Sequence, residues 1–300
     1  MARKRENAPP DQAAPERAGG AASRSEAAGS DGARGRAVVS PETTHARAPR
    51  AHGRPLVLGH RGASAEAPEN TLAAFRLAMV QGADGVELDV WRCATGEVVV
   101  VHDENLSRVA GAPLRVPDSP LAALRALDVG AWRGERFRGE RIPLLAEVLD
   151  ALPGAVVNVE LKSRGDRDLS LAHAAADVIW KKGAGSRVVV SSFDWRLLAA
   201  FRLASPDVAA GLLFDGTRAW RLRTFLGIRT LRPAAVHPDR ALATDARVRR
   251  WSERGLAVNV WTVDEPADAE RLARAGAAAL ITNTPATVRG ALGLPPVTER

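Results

Sequence analysis

The sequence predicts one α/β domain folded as a closed (β/α)8 barrel, with a small insertion after the second strand and a disordered amino-terminal tail. Two observations predict it. From Pro55 onward, eight short apolar runs alternate with stretches of helical period, the pattern of βα units around a parallel sheet. Residues 1–53 are instead Ala, Gly, Arg, Pro, Ser and Glu with almost no large apolar side chains, so they bury too little surface to offset the entropy of ordering.

The eight runs are 55–60, 84–91, 155–162, 187–193, 208–214, 233–237, 256–262 and 278–282. Between them lie amphipathic stretches over 71–80, 144–151, 171–181, 195–204 and 267–275, with Asn70, Ser170, Asp194 and Asp264 as expected helix caps. Eight strands each followed by a helix fit one barrel over 54–294 better than two small domains. One stretch breaks the repeat. Residues 97–102 read as an additional strand, and about 104–142 follow with no clean period and many Gly, Pro and Arg. Barrels of this kind place their chemistry on the loops after the strands, so this insertion is expected to cover part of the site.

Composition narrows the function without choosing it. The 300 residues are 46% hydrophobic, ample for a core. A single cysteine, Cys93, excludes an internal disulfide and a cysteine zinc cage and is expected to be a packing residue. No run of about 18 apolar residues and no secretory segment is visible, so cytoplasmic residence is the expectation. The net charge is +7, but residues 1–54 hold ten Lys or Arg against six Asp or Glu, more than half of the excess. The barrel is therefore only mildly basic, which suits an anionic small molecule and gives no specific case for nucleic acid.

Polar residues at the ends of apolar runs carry the chemistry, because a buried strand has no packing reason to hold charge. His60-Arg61-Gly62 closes the first run, Glu87 and Asp89 lie in the second, and His102-Asp103 closes the extra strand. Glu160 and Lys162 end the third run of the barrel, and Trp261-Thr262 the seventh. Residues two apart on a strand share a face, so Glu87 and Asp89 project together, as do Glu160 and Lys162, while Val86, Leu88, Val90, Val159 and Leu161 face the helices. Three carboxylates in one barrel mouth repel one another unless a cation neutralises them. Oxygen ligands without cysteine favour a hard divalent metal, Mg²⁺ or Ca²⁺. His60 and His102 could flank one phosphorus as general base and general acid. Arg61 and Lys162 suit a phosphate whose charge grows in the transition state. Trp261 offers an apolar wall. His237, at the end of the sixth run, is a weaker candidate for the site, and His173 reads as a surface residue. No P-loop, G-x-S-x-G, H-E-x-x-H or C-x-x-C motif occurs, which leaves nucleotide hydrolysis by a Walker site, triad hydrolysis and zincin chemistry without support.

With these residues assembled, the chain resembles the glycerophosphodiester phosphodiesterase family over nearly all of 55–292. The resemblance rests on His60-Arg61-Gly62, Ala67-Pro68-Glu69-Asn70-Thr71, Gly85-Val86-Glu87-Leu88-Asp89-Val90, Val101-His102-Asp103, Glu160-Leu161-Lys162, Ser192-Phe193-Asp194 and Trp261-Thr262-Val263-Asp264. It implies a TIM barrel with an insertion after the second strand, and metal-dependent hydrolysis of a glycerophosphodiester to an alcohol and glycerol 3-phosphate. It also implies His60 and His102 as the acid/base pair, Glu87, Asp89 and Glu160 as metal ligands, Arg61 and Lys162 on the phosphate, and Phe193 and Trp261 lining the pocket. Where the family usually carries an acidic residue after Ile-Thr, this chain has Ile281-Thr282-Asn283-Thr284-Pro285, which drops a charge and keeps a possible cap. Two other readings compete: a lysophospholipase D, hinted at by Leu124, Trp132 and Phe137 in the insertion, and a non-catalytic phosphate-binding barrel.

Overall fold

A computed structural model describes residues 47–51, 53–165, 168–216, 228 and 231–295. The disordered tail expected over residues 1–53 falls almost wholly outside the described residues. Ala48, near its end, is buried beside Val189, Ala209, Ala235 and Ala257 at the floor of the barrel.

Nine strands form one sheet: β1 Leu56–His60, β2 Gly85–Arg92, β3 Val98–Val100, β4 Val156–Leu161, β5 Val188–Ser192, β6 Ala209–Phe214, β7 Ala235–Pro238, β8 Ala257–Val260 and β9 Ala279–Thr282. Eight of them run parallel in chain order and close where β1 pairs with both β2 and β9. β3 lies outside this ring, antiparallel to the carboxyl end of β2. The eight runs read from the sequence are thus the eight barrel strands, and the extra run is β3.

Alternation along each strand sets the layers. On β2, Val86, Leu88 and Val90 pack outward in one cluster with Phe75, Leu145, Leu149 and Val159, while Glu87 and Asp89 face the lumen. Leu56, Leu58, Ala279 and Ile281 fill the lumen beneath the site. Register brings the polar residues level with one another: His60 lies opposite Glu87, and Asp89 opposite Glu160.

Helices cover the outside, among them Leu72–Val80, Leu145–Ala151, Ser170–Lys181, Trp195–Ala204, Asp245–Glu253, Pro266–Ala275 and Pro285–Ala291. Of the four expected caps, only Asp194 holds its helix in that way, accepting from Arg196 N at 3.0 Å. Thr71, not Asn70, caps the first helix through Ala74 N. Ser170 is already inside its helix and donates its own N–H to Asp168. Asp264 has turned its oxygens to Thr282 and Asn283, so Glu265 takes the N-cap position of the helix Pro266–Ala275, with no side-chain cap. For Asn70 and Asp264 a tertiary partner competes better for the side chain than the helix N-terminus does, and at Ser170 the neighbouring Asp168 carboxylate takes the capping place.

The insertion contains two short α-helices, Ser107–Ala110 and Leu121–Arg125, and several 3₁₀ turns. Four or five residues cannot display a 3.6-residue period, which explains the missing pattern. The insertion closes over its own small core of Trp91, Cys93, Val99, Leu106, Val116, Leu124 and Ile142. Cys93 is buried there as a packing residue.

Candidate active site

The turn His60-Arg61-Gly62 leaves the mouth of β1 sharply. Arg61 has φ 55° and Gly62 φ 89°. A Cβ on Gly62 would lie 2.5 Å from the carbonyl carbon of Ala74, so only glycine lets this turn sit on the first helix. The turn aims the His60 ring and the Arg61 guanidinium into the barrel. β2 and β4 supply Glu87, Asp89 and Glu160, whose carboxylates come within 4.8 Å of one another and are buried.

Two cations partly neutralise these acids. Lys162 Nζ bridges Asp89 Oδ1 at 2.8 Å and Glu160 Oε1 at 2.7 Å. Arg61 Nε lies 3.2 Å from Asp89 Oδ2, and its backbone N–H donates to Glu87 Oε2. Asp89 is best served, since Asn70 Nδ2 also donates to it at 2.8 Å. Burial pushes its pKa up, but Lys162 and Arg61 outweigh that and hold it well below the ordinary carboxylate range. Glu87 fares worst: burial first, then Asp89 and Glu160, push its pKa well up. Glu160 is pushed up to about 7, chiefly by burial. Were all three acids ionised, two bases would leave one negative charge uncompensated in a buried mouth, which is why Glu87 and Glu160 hold their protons more tightly than an ordinary carboxyl. That donor set, all oxygen and short of positive charge, fits a hard divalent cation.

The two imidazoles have unlike partners. His60 Nδ1 lies 2.8 Å from Asn283 Oδ1. The amide is held in that sense because Asn283 Nδ2 and N both donate to Asp264, each at 2.7 Å. His60 therefore carries its proton on Nδ1, and Nε2 presents a lone pair 3.9 Å from Glu87 Oε2. Burial, helped by Arg61, lowers the pKa of His60 to about 4. His102 Nδ1 instead faces a carboxylate, Asp103 Oδ1, at 2.7 Å. Burial lowers the pKa of His102 as well, with Asp89 and Asp103 acting against it.

A cavity of about 200 Å³ joins these groups. His60, Arg61, Glu87, His102, Glu160 and Lys162 line its polar side, and Phe193, Leu213, Trp261 and Ile281 its apolar side. Phe193 and Trp261 meet edge to face, ring centroids 5.7 Å apart, with the indole N–H donated to His237 O. A second cavity of about 360 Å³ shares His60 and Arg61 and takes Trp132 and Arg133 from the insertion, as expected of a segment that covers the site.

All nine residues singled out in the sequence gather here, Asp89 through its contact with Lys162. Sequence reasoning missed Asn70, Asp264 and Asn283 as site residues, reading each as a cap; Asn283 makes no cap and instead sets the tautomer of His60. The signal was present, since all three fall in or beside the motifs of the family. His173 is exposed, as expected. Of the apolar hints in the insertion, Leu124 is fully buried in the local core and Phe137 lies under the Arg136 guanidinium, so among the three only Trp132 reaches the cavities.

His237 is inside the barrel but does not line the 200 Å³ cavity. Its Nε2 accepts from Asn259 Nδ2 at 3.1 Å, and the ring fills the space over Gly211, where a Cβ would lie 2.3 Å from Nε2. Full burial lowers its pKa from 6.5 to about 3. A depressed histidine pKa means that the unfolded chain takes up a proton that the folded one refuses. Stability is thus complete above pH 6.5 and falls as pH drops from there towards 3, by about 1.4 kcal/mol per pH unit from this group. Urea midpoints across that window should fall more steeply for the wild type than for His237→Gln, which keeps an acceptor for Asn259. Parallel curves would mean that the ring titrates freely in the fold.

The family model described as the glycerophosphoryl diester phosphodiesterase family matches residues 60–287. The chain belongs to this family. It is 34% identical over 237 residues to the glycerophosphodiester phosphodiesterase of Caldanaerobacter subterraneus subsp. tengcongensis, a match covering 78% of this chain and 96% of that one. It is 34% identical over 251 residues to the probable glycerophosphodiester phosphodiesterase 1 of Mycobacterium tuberculosis, covering 78% and 90%. Among solved structures, an Oleispira antarctica phosphodiesterase in complex with the product sn-glycerol-3-phosphate superposes with a TM-score of 0.74 at 30% identity, over 80% of this chain and 97% of that one. This chain is accordingly a phosphodiesterase on a TIM barrel, hydrolysing glycerophosphodiesters to an alcohol and glycerol 3-phosphate. Among the described residues no helix is long and apolar enough to cross a membrane.

Proposed function

We propose that the 200 Å³ cavity is where this phosphodiesterase acts, with His60 as general base, His102 as general acid, and Arg61 and Lys162 against the phosphate. The observation that carries the reading is the difference between the histidines' partners. A neutral amide opposite Nδ1 leaves His60 uncharged with a free lone pair, as a base requires. A carboxylate opposite Nδ1 works for the imidazolium that an acid must be, against the burial that lowers the pKa of the ring. Glu87, Asp89 and Glu160 would hold a divalent cation, Mg²⁺ or Ca²⁺, which when bound would polarise a phosphoryl oxygen as a Lewis acid.

The chain's own residues do the rest. Phe193, Leu213, Trp261 and Ile281 hold the glycerol carbons beside the charged wall. His60 Nε2 takes the proton of the glycerol hydroxyl next to the phosphate, and that oxygen bonds to phosphorus. The bond from phosphorus to the head-group oxygen breaks with its electron pair on oxygen, and His102 gives that oxygen its proton. In the second half the roles reverse: His102 takes a proton from water, whose oxygen opens the cyclic phosphate, and His60 returns its proton to the glycerol oxygen. Arg61 and Lys162 stabilise charge on the phosphoryl oxygens in both halves.

A cavity of about 200 Å³ suits a glycerol phosphate, and the adjoining cavity is lined mostly by charged and polar side chains, a poor surface for an acyl chain. A panel of glycerophosphocholine, glycerophosphoglycerol and lysophosphatidylcholine, scored by release of glycerol 3-phosphate or of its acylated form, tests this. The first two should turn over with kcat/KM at least about tenfold above the third, one methylene-scale contact being worth that much. Equal or better turnover of lysophosphatidylcholine would favour lysophospholipase D. We also assign the enzyme to the cytoplasm, a reading that the lone buried cysteine, free of any disulfide, supports.

A further inference from the structure

Arg108, on the short helix Ser107–Ala110 of the insertion, has no contact with the cavity, yet it joins two residues that do the cavity's positioning. Its Nε donates to Asp103 Oδ2 at 2.6 Å, while Nη1 and Nη2 fork onto both oxygens of Glu69, at 2.8 and 2.7 Å. Asp103 in turn holds His102 Nδ1 through its other oxygen. Glu69 lies on the loop after β1 and is only 14% exposed.

We propose that Arg108 is a positioning residue for the reaction, clamping Asp103 so that the His102 ring points its Nε2 at the leaving oxygen. The inference rests on the assignment of His102 as general acid. The backbone of His102 is already fixed, since Val101 N donates to Asp89 O and Trp91 Nε1 donates to His102 O. What stays free is the ring, and its Nδ1 partner is a carboxylate that is 26% exposed and would swing into water if left alone. The forked guanidinium prevents this by tying that carboxylate to Glu69 on the barrel. A planar fork is what the geometry needs; a lysine ammonium cannot reach three oxygens in that arrangement. Arg61 does not depend on the clamp, because it keeps Asp89 as well as Glu69.

The leaving group separates this role from a structural one. Choline leaves as an alkoxide and needs the proton of His102, whereas nitrophenolate leaves without one. In a single turnover, Arg108→Met should therefore lower the rate of choline release from glycerophosphocholine about tenfold or more, the scale of a small misplacement of a catalytic group, with the rate of nitrophenolate release from the glycerol p-nitrophenyl phosphodiester within about twofold of wild type. The substrate concentration that gives half the maximal rate should hardly move for either. Arg108→Lys should recover part of the loss. Asp103→Asn, which keeps an acceptor for Nδ1 but cannot pair with the guanidinium, should show the same selectivity. A loss equal for both substrates, or none for glycerophosphocholine, overturns the proposal. His102→Ala run alongside tells the two failures apart. If it is selective and Arg108→Met is not, only the clamp is wrong; if neither is selective, the acid assignment falls as well.

Discussion

His60→Ala should lower kcat at least about 10²-fold on glycerophosphocholine and by a similar factor on a substrate with a nitrophenolate leaving group. The lack of leaving-group selectivity follows from the place of His60 in the reaction. It removes the proton from the attacking hydroxyl, a task that every substrate imposes, whereas in the step that releases the head group His102 serves only leaving groups that depart as strong bases. The local structure makes the base available without titration: Asn283 fixes the Nδ1–H tautomer, and burial keeps the ring neutral far below physiological pH. Steady-state turnover of His60→Ala, and single-turnover release of choline and of nitrophenolate by both single variants, test the assignment. Turnover near wild type for both variants would remove the histidine pair from the mechanism.

The second large effect concerns the acids. Chelation with EDTA should abolish turnover, a loss on the order of 10³-fold or more given several kcal/mol of Lewis-acid stabilisation, and Mg²⁺ or Ca²⁺ should restore it. Glu87→Gln should prevent restoration and also abolish any rise in thermal midpoint on adding metal. In EDTA the same variant should be at least as stable as the wild type, because Glu87 is the acid for which burial and two neighbouring carboxylates make ionisation hardest. A variant that loses activity while gaining metal-free stability is one whose carboxylate is kept for binding rather than for the fold. Full activity in EDTA would overturn the metal reading.

The sequence by itself determined the barrel and most of its polar mouth. Apolar runs of strand length alternating with helical stretches leave few arrangements, and the two-residue period of a strand puts Glu87 with Asp89, and Glu160 with Lys162, on the inner face whatever the loops do. Ordered motifs such as His60-Arg61-Gly62 and Val101-His102-Asp103 then pointed to the family. Tertiary structure alone decided how those groups are held. Asn283 meets His60 across 223 positions of chain, Asn70 supports Asp89 rather than a helix end, and Arg108 reaches back 39 positions to Glu69. His237, at a strand end like His60, is kept from lining the cavity by Asn259 and by the space over Gly211, which its ring fills. The physical reason is common to the three loop contacts. Strand periodicity is a local property of the backbone and survives any loop path, whereas a side-chain hydrogen bond between loops exists only once the barrel has closed and brought its partners within about 3 Å.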